Sequence, residues 1–299
     1  MGIELPPLST VDLDGPVAYR AWEGPSDTTF VLVHGLGGMH LNWVQVAPGL
    51  AGFGRVVALD LPGFGASPLA ARGTHLMDQR RIVSRFIDDL ATGDVYLVGN
   101  SMGGAIAVIH AAIEPGRVDG LVLTSAALPR VGHAWQHPSL ALLMAIYEVP
   151  GLGDAAVAAR VRHLDPERLV RMGFRFTTAD PATIPEEIVR LHVDAVREHQ
   201  LDPGAERAFR DAARSLLRLA RRGDLTTRAL DGVRCPVLVL HGRRDRLVPA
   251  RYAEEVLRRY PTWRGRIFPD LGHVAQMEAP GRWVAEVADW YAGVAPRSR

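Results

Sequence analysis

The sequence predicts a doubly wound, mostly parallel α/β sheet interrupted by a helical insertion. Three observations carry this. Short apolar runs rich in β-branched residues and without alternation recur at 29–33, 56–59, 95–98, 121–123 and 237–240. Such runs suit strands buried on both faces. Helical patterns lie between them, and strand–helix alternation places helices on both faces of a parallel sheet. From about Arg130 to Gly232 the alternation stops and only helix patterns are found. The division is therefore a core of residues 1–129 and 233–299 with a helical insertion over 130–232.

Each element has its own signal. Leu8 to Trp22 carries Asp14-Gly15 between two short β-like runs, a hairpin signal because both central residues of a type I′ turn need φ > 0. Thr29–Val33 and Val56–Leu59 are the next strands. Gln79–Leu90 follows as a helix, with Ile82, Val83, Phe86, Ile87 and Leu90 on one face. Val95–Val98 is a strand, the Ala- and Gly-rich Met102–Ala112 a helix, and Leu121–Leu123 a strand. Within the insertion the helix patterns are Pro138–Tyr147, Asp154–His163, Pro166–Met172, Pro185–Glu198 and Glu206–Arg222. Asp165-Pro166, Asp180-Pro181 and Asp202-Pro203 read as helix starts or turns. Strands resume with Val237–Leu240 and Arg266–Phe268, and Pro280–Tyr291 closes the chain as a helix.

Composition removes several classes of function. The 299 residues carry a net charge of +1, without the positive surplus a nucleic-acid binder needs. With 47% hydrophobic and 22% charged residues the chain is ordinary for a globular protein and not disordered. No apolar run reaches the ~20 residues of a membrane-spanning helix, and Met1–Pro7 lacks the basic and apolar regions of a signal peptide. One cysteine, Cys235, allows no internal disulfide. A cytoplasmic location is the expectation. All 34 basic residues are arginine, as a GC-rich bacterial genome would encode. No His, Cys or carboxylate spacing suggests a metal site, so neither metal nor cofactor is expected. The expected partner is a small-molecule substrate, and the oligomeric state is left open.

The chemistry centres on Gly99-Asn100-Ser101-Met102-Gly103, a G-x-S-x-G motif between a predicted strand and a predicted helix. With nine serines in the chain, chance gives roughly 0.1 matches before that context is counted. A serine hydroxyl attacks only when a base takes its proton. For this elbow type the partners follow in the order acid, then histidine. His273 lies after the last predicted strand, and Asp245 lies just past Val237–Leu240. Both follow strand C-terminal ends, where open α/β sheets place their sites. Asp245 is the favoured acid, with Asp270 and Glu278 as alternatives. The other histidines read as packing or surface residues, His110 inside the elbow helix and His241 at a strand end. The oxyanion formed on attack needs donors. The candidates are the backbone N–H of Met102 and that of Leu36, in His34-Gly35-Leu36-Gly37-Gly38. That turn lacks the G-x-G-x-x-G spacing of a dinucleotide site.

Taken with Asp60-Leu61-Pro62-Gly63-Phe64-Gly65, His241-Gly242-Arg243-Arg244-Asp245 and Gly272-His273, these motifs resemble the α/β-hydrolase superfamily in order and interval, across essentially the whole chain. The resemblance implies the α/β-hydrolase fold, a Ser101–Asp245–His273 triad, and a cap domain in place of the helical insertion. The elbow is similar to that of the meta-cleavage-product hydrolases, which cut C–C bonds. Those enzymes usually carry Trp directly after the histidine, where this chain has Val274, and use a cap arginine to hold a carboxylate. Arg160, Arg162, Arg171, Arg175 and Arg190 are the candidates. Dehalogenases and epoxide hydrolases of the family use an Asp nucleophile, against Ser101. The reading is a serine hydrolase of small apolar carboxylic esters. The alternatives are a C–C hydrolase and a non-catalytic small-molecule receptor on the same fold. Gly35 and Gly37 let the backbone approach substrate. With Val274, and with Trp135 and Met144 as the roof of an apolar acyl pocket, they are the candidate substrate-binding positions.

Overall fold

In the computed structural model, residues 4–128, 165–200, 202 and 204–295 are described. Trp135, Met144, Arg160, Arg162 and the predicted helices Pro138–Tyr147 and Asp154–His163 lie outside them.

Eight strands form one sheet in the order β1-β2-β4-β3-β5-β6-β7-β8. They are β1 (Ser9–Asp12), β2 (Pro16–Trp22), β3 (Thr28–Val33), β4 (Arg55–Leu59), β5 (Asp94–Asn100), β6 (Gly120–Thr124), β7 (Val237–Gly242) and β8 (Arg264–Phe268). From β4 through β8 every neighbouring pair is parallel, while β1 and β2 run antiparallel at one edge. The non-alternating runs are explained by burial on both sides. Val31, Val33, Val57, Leu59 and Leu97 face one core, whereas Phe30, Leu32, Val56, Ala58 and Val98, one residue out of step, face the other.

The first core is covered by Leu76–Leu90, by the elbow helix Met102–Ile113, and by Val256 of the helix Ala250–Arg259. Leu216 and Leu230, from the helices Ala205–Arg221 and Gly223–Gly232 that precede β7, join the same core. The second core takes Trp283, Val287 and Trp290 of the last helix, Pro280–Val294, together with Val170 and Phe174 of Pro166–Thr177 and Ile188, Val189 and Val193 of Glu186–His199.

The hairpin differs from the sequence expectation in one residue. Asp14 and Gly15 do take positive φ, +58° and +123°. Strand pairing nevertheless closes at Asp12 and Pro16, leaving a three-residue loop. Leu13 is fully buried in the first core, and drawing it inward lengthens the turn. The Asp12 carboxylate accepts from Gly15 N at 2.8 Å and closes the loop. Two helices, Gly223–Gly232 and Ala250–Arg259, had no clear sequence signal. The first is bounded by glycines, and the second buries only Ala250, Ala253 and Val256.

Candidate active site

Ser101 stands between β5 and the elbow helix with φ +54° and ψ −114°, a conformation that L-residues adopt only under strain of about 1–3 kcal/mol. The surroundings impose it. Ser101 N donates to Thr124 O at 3.0 Å, and Ser101 O accepts from Ala105 N at 3.1 Å and Ala127 N at 2.9 Å. The motif glycines are required by close backbone approach. A Cβ on Gly99 would lie 2.4 Å from Gly103 O, and one on Gly103 would lie 2.1 Å from Val33 O. The sharp turn lifts the serine out of the helix axis and leaves Met102 at the first helical position, where its N–H has no intrahelical acceptor.

The loop after β3 comes up against the serine. A Cβ on Gly35 would sit 3.0 Å from Ser101 Cβ. His34 holds this loop. Its Nε2 accepts from Leu61 N at 3.0 Å, so Nδ1 carries the proton and donates to Gly35 O at 2.7 Å. Complete burial lowers the pKa of His34, keeping the neutral form this arrangement needs. Leu36 is half-buried, and Gly37 is exposed with φ +72°.

Asp245 and His273 meet as a buried pair, Nδ1 to Oδ2 at 2.7 Å. Desolvation alone would raise the pKa of Asp245. The charge of His273 and the hydrogen bonds from His241 and His273 outweigh it and hold the carboxyl well below the usual carboxylate range. The second oxygen of Asp245 accepts from Leu247 N at 2.8 Å and Val248 N at 2.9 Å, which fixes its rotamer. His241 Nε2 lies 2.8 Å from Val248 O and 3.3 Å from the carboxylate. The other two acids are engaged elsewhere. Asp270 pairs on the surface with Arg282, at 2.6 and 3.0 Å. Glu278 accepts from the backbone N–H groups of Gly272 and Ala179.

Asn100, which the sequence did not single out, connects the halves. Its Nδ2 donates to Thr124 O and to His273 O, both at 3.1 Å. The residue before the serine thus grips the backbone of the histidine. Val274 is buried in the second core beside His273. Of the described candidate arginines, Arg171 is paired with Glu167 and Glu186, and Arg175 and Arg190 are exposed. Among the described residues no group of three His, Cys, Asp or Glu could hold a metal ion, and no helix is long and apolar enough to cross a membrane.

The chain is 32% identical over 86% of its length to a dihydrolipoyllysine-residue acetyltransferase component of an acetoin cleaving system from Pseudomonas putida. It covers only 61% of that protein. A second relative is a 2-hydroxy-6-oxononadienedioate/2-hydroxy-6-oxononatrienedioate hydrolase from Cupriavidus pinatubonensis (strain JMP 134 / LMG 1197), 29% identical over 89% of this chain and 88% of the relative. Among solved structures, a thermophilic esterase from Thermogutta terrifontis superposes with a TM-score of 0.67 at 25% identity, covering 97% of this chain and 98% of the other. The model of the alpha/beta hydrolase fold matches residues 28–280, and the eight-stranded, mostly parallel sheet agrees with it: the chain belongs to the alpha/beta hydrolase fold family.

Proposed function

We propose that this protein is a serine hydrolase that cleaves carboxylic esters of small apolar acyl groups through an acyl-enzyme. The observation that carries the reading is the buried Asp245–His273 pair, joined through Asn100 to the strained Ser101. Ser101 Oγ attacks the ester carbonyl carbon while His273 Nε2 takes its proton. The oxyanion accepts from the N–H groups of Met102 and Leu36. The C–O bond breaks, and His273 returns the proton to the leaving alcohol. Water then attacks the acyl carbon, His273 takes one of its protons, and the acid leaves Ser101 with its hydrogen restored. Asp245 keeps Nδ1 protonated and stabilises the imidazolium.

A second reading, C–C hydrolysis of a dienoate ring-fission product, is favoured by the Cupriavidus relative. Against it stand Val274 in place of Trp and the outward pairing of Arg171. A panel of p-nitrophenyl esters of rising acyl length, assayed beside a coloured dienoate, separates the two. Each buried CH₂ adds about 0.8 kcal/mol of binding until the pocket is full. kcat/KM therefore rises severalfold per carbon over short chains and then falls. A flat profile with good dienoate turnover replaces the ester reading with the C–C one.

A further inference from the structure

Glu278 is a buried carboxylate that the proposed reaction does not use. It ends the short helix Ala275–Glu278, five residues after His273, and is 8% exposed. Both oxygens are occupied by backbone donors. Oε1 accepts from Gly272 N at 2.8 Å, and Oε2 accepts from Ala179 N at 2.7 Å. Gly272 immediately precedes His273, and Ala179 lies just past the end of the insertion helix Pro166–Thr177. The same helix end makes two further ties. His273 N donates to Thr177 O at 2.6 Å, and Arg246 Nη1 donates to Arg175 O at 2.8 Å. The two backbones are pressed together, since a Cβ on Gly272 would lie 2.6 Å from Ala179 N and 2.8 Å from Thr177 O. The loops carrying the candidate base and acid are therefore both fastened to the last turn of one helix.

We propose that Glu278 is a positioning residue, whose two oxygens clamp the His273 loop onto the end of the insertion helix and so aim the imidazole at Ser101. The proposal rests on the reading of Ser101 as nucleophile and His273 as base. It couples the insertion to the chemistry, because the base is aimed only while that helix end is seated. The clamp needs the ionised carboxylate. A protonated Glu278 would turn an O–H toward one of two N–H donors, and a glutamine would turn an NH₂ toward one of them.

Protonation is within reach of solution pH. Desolvation, aided by the Asp245 charge, raises the pKa of Glu278 against the N–H donors of Ala179, Gly272 and Asp180. The charged groups on the surrounding elements are Asp245 and His273, paired with each other, Asp180, whose carboxylate accepts from Ala182 N, and Arg246, donating to Arg175 O.

The test is the pH dependence of p-nitrophenyl acetate hydrolysis by the full chain, Glu278→Gln and Ser101→Ala, with thermal unfolding alongside. Glu278→Gln is expected to lose about ten- to a hundred-fold in kcat, with KM nearly unchanged. In the wild type the acid limb of log kcat/KM steepens from a slope of one toward two, because His273 and Glu278 must both be deprotonated. In Glu278→Gln the slope stays at one. Wild-type kcat and slope in Glu278→Gln would overturn the proposal. If the variant does not fold, the wild-type profile decides, and a slope of one down to about pH 4.5, near the ordinary glutamate value, overturns it. Full turnover by Ser101→Ala would overturn the nucleophile assignment itself, and the clamp's purpose with it.

Discussion

Among the described residues, two buried aspartates at the C-terminal ends of strands are each paired with histidine. Asp245, past β7, meets His273 Nδ1 at 2.7 Å, and Asp60, directly after β4, meets His40 Nδ1 at 2.9 Å. Both carboxylates are shielded from solvent, and both have lowered pKa values because charge and hydrogen bonds from histidine overcome desolvation. Their surroundings differ. Asp60 also accepts from His40 N and from Ala66 N, and its oxygens fill the space a side chain on Gly65 would need. It is the centre of a turn. Asp245 fixes its own loop through one oxygen and turns the other toward His241 and toward His273, whose backbone is gripped by Asn100, next to Ser101. An Asp–His pair is thus a common way to bury a carboxylate, and neighbourhood separates the one proposed for catalysis from the one that holds a turn.

Substitution breaks this comparison most directly. Asp245→Asn is expected to lower kcat by about 10³–10⁴-fold, because the imidazole loses its tautomer and its counter-charge, with a small change in Tm. Asp60→Asn should do the opposite. Breaking a buried pair costs about 3–5 kcal/mol of stability, read as a drop in the denaturation midpoint, while the folded fraction keeps most of its activity. Equal activity losses in the two variants would erase the distinction.

Another buried imidazole sharpens it. His192 lies under Phe174, with Nδ1 2.9 Å from Ile188 O, and burial lowers its pKa to about 4. A depressed pKa means the neutral form is required. Its contribution is complete above the unfolded value near 6.5 and is lost as pH falls toward 4, about 3 kcal/mol in all. Urea denaturation of His192→Leu should therefore show a flatter loss of stability between those pH values than the wild type. A smaller effect is expected from Gly35→Ala, whose methyl would press on Ser101 Cβ, with kcat falling about ten- to a hundred-fold and Tm little changed. Smallest of all is Arg171→Ala on the surface, which should leave both ester and dienoate turnover unaltered. Loss of dienoate turnover alone would mark Arg171 as a substrate contact.

Local chemistry explains what was legible in the sequence. The two-faced strands announce themselves because both neighbours of every residue are buried, so polarity never alternates. The elbow announces itself because only glycine fits at 99 and 103. What the sequence concealed depends on partners far apart in the chain or on backbone groups. Asp60 and His40 are read as a pair only when β4 lies beside β3. Asp270 and Glu278 lie close to His273 in sequence, yet Arg282 takes the first and two backbone N–H groups the second. Asn100 acts through carbonyl oxygens, which leave no mark on residue type. The hairpin turn was legible, but its length was set by Leu13 seeking the core.

The central claim, that Ser101 is the nucleophile activated by the Asp245–His273 pair, is tested most directly by mass spectrometry after treatment with a fluorophosphonate. The serine oxygen displaces fluoride at phosphorus, so the modified peptide names the nucleophile. The adduct is predicted on the peptide containing Ser101, forming far more slowly in Asp245→Asn. An adduct on another residue, or normal ester turnover by Ser101→Ala, would contradict the account.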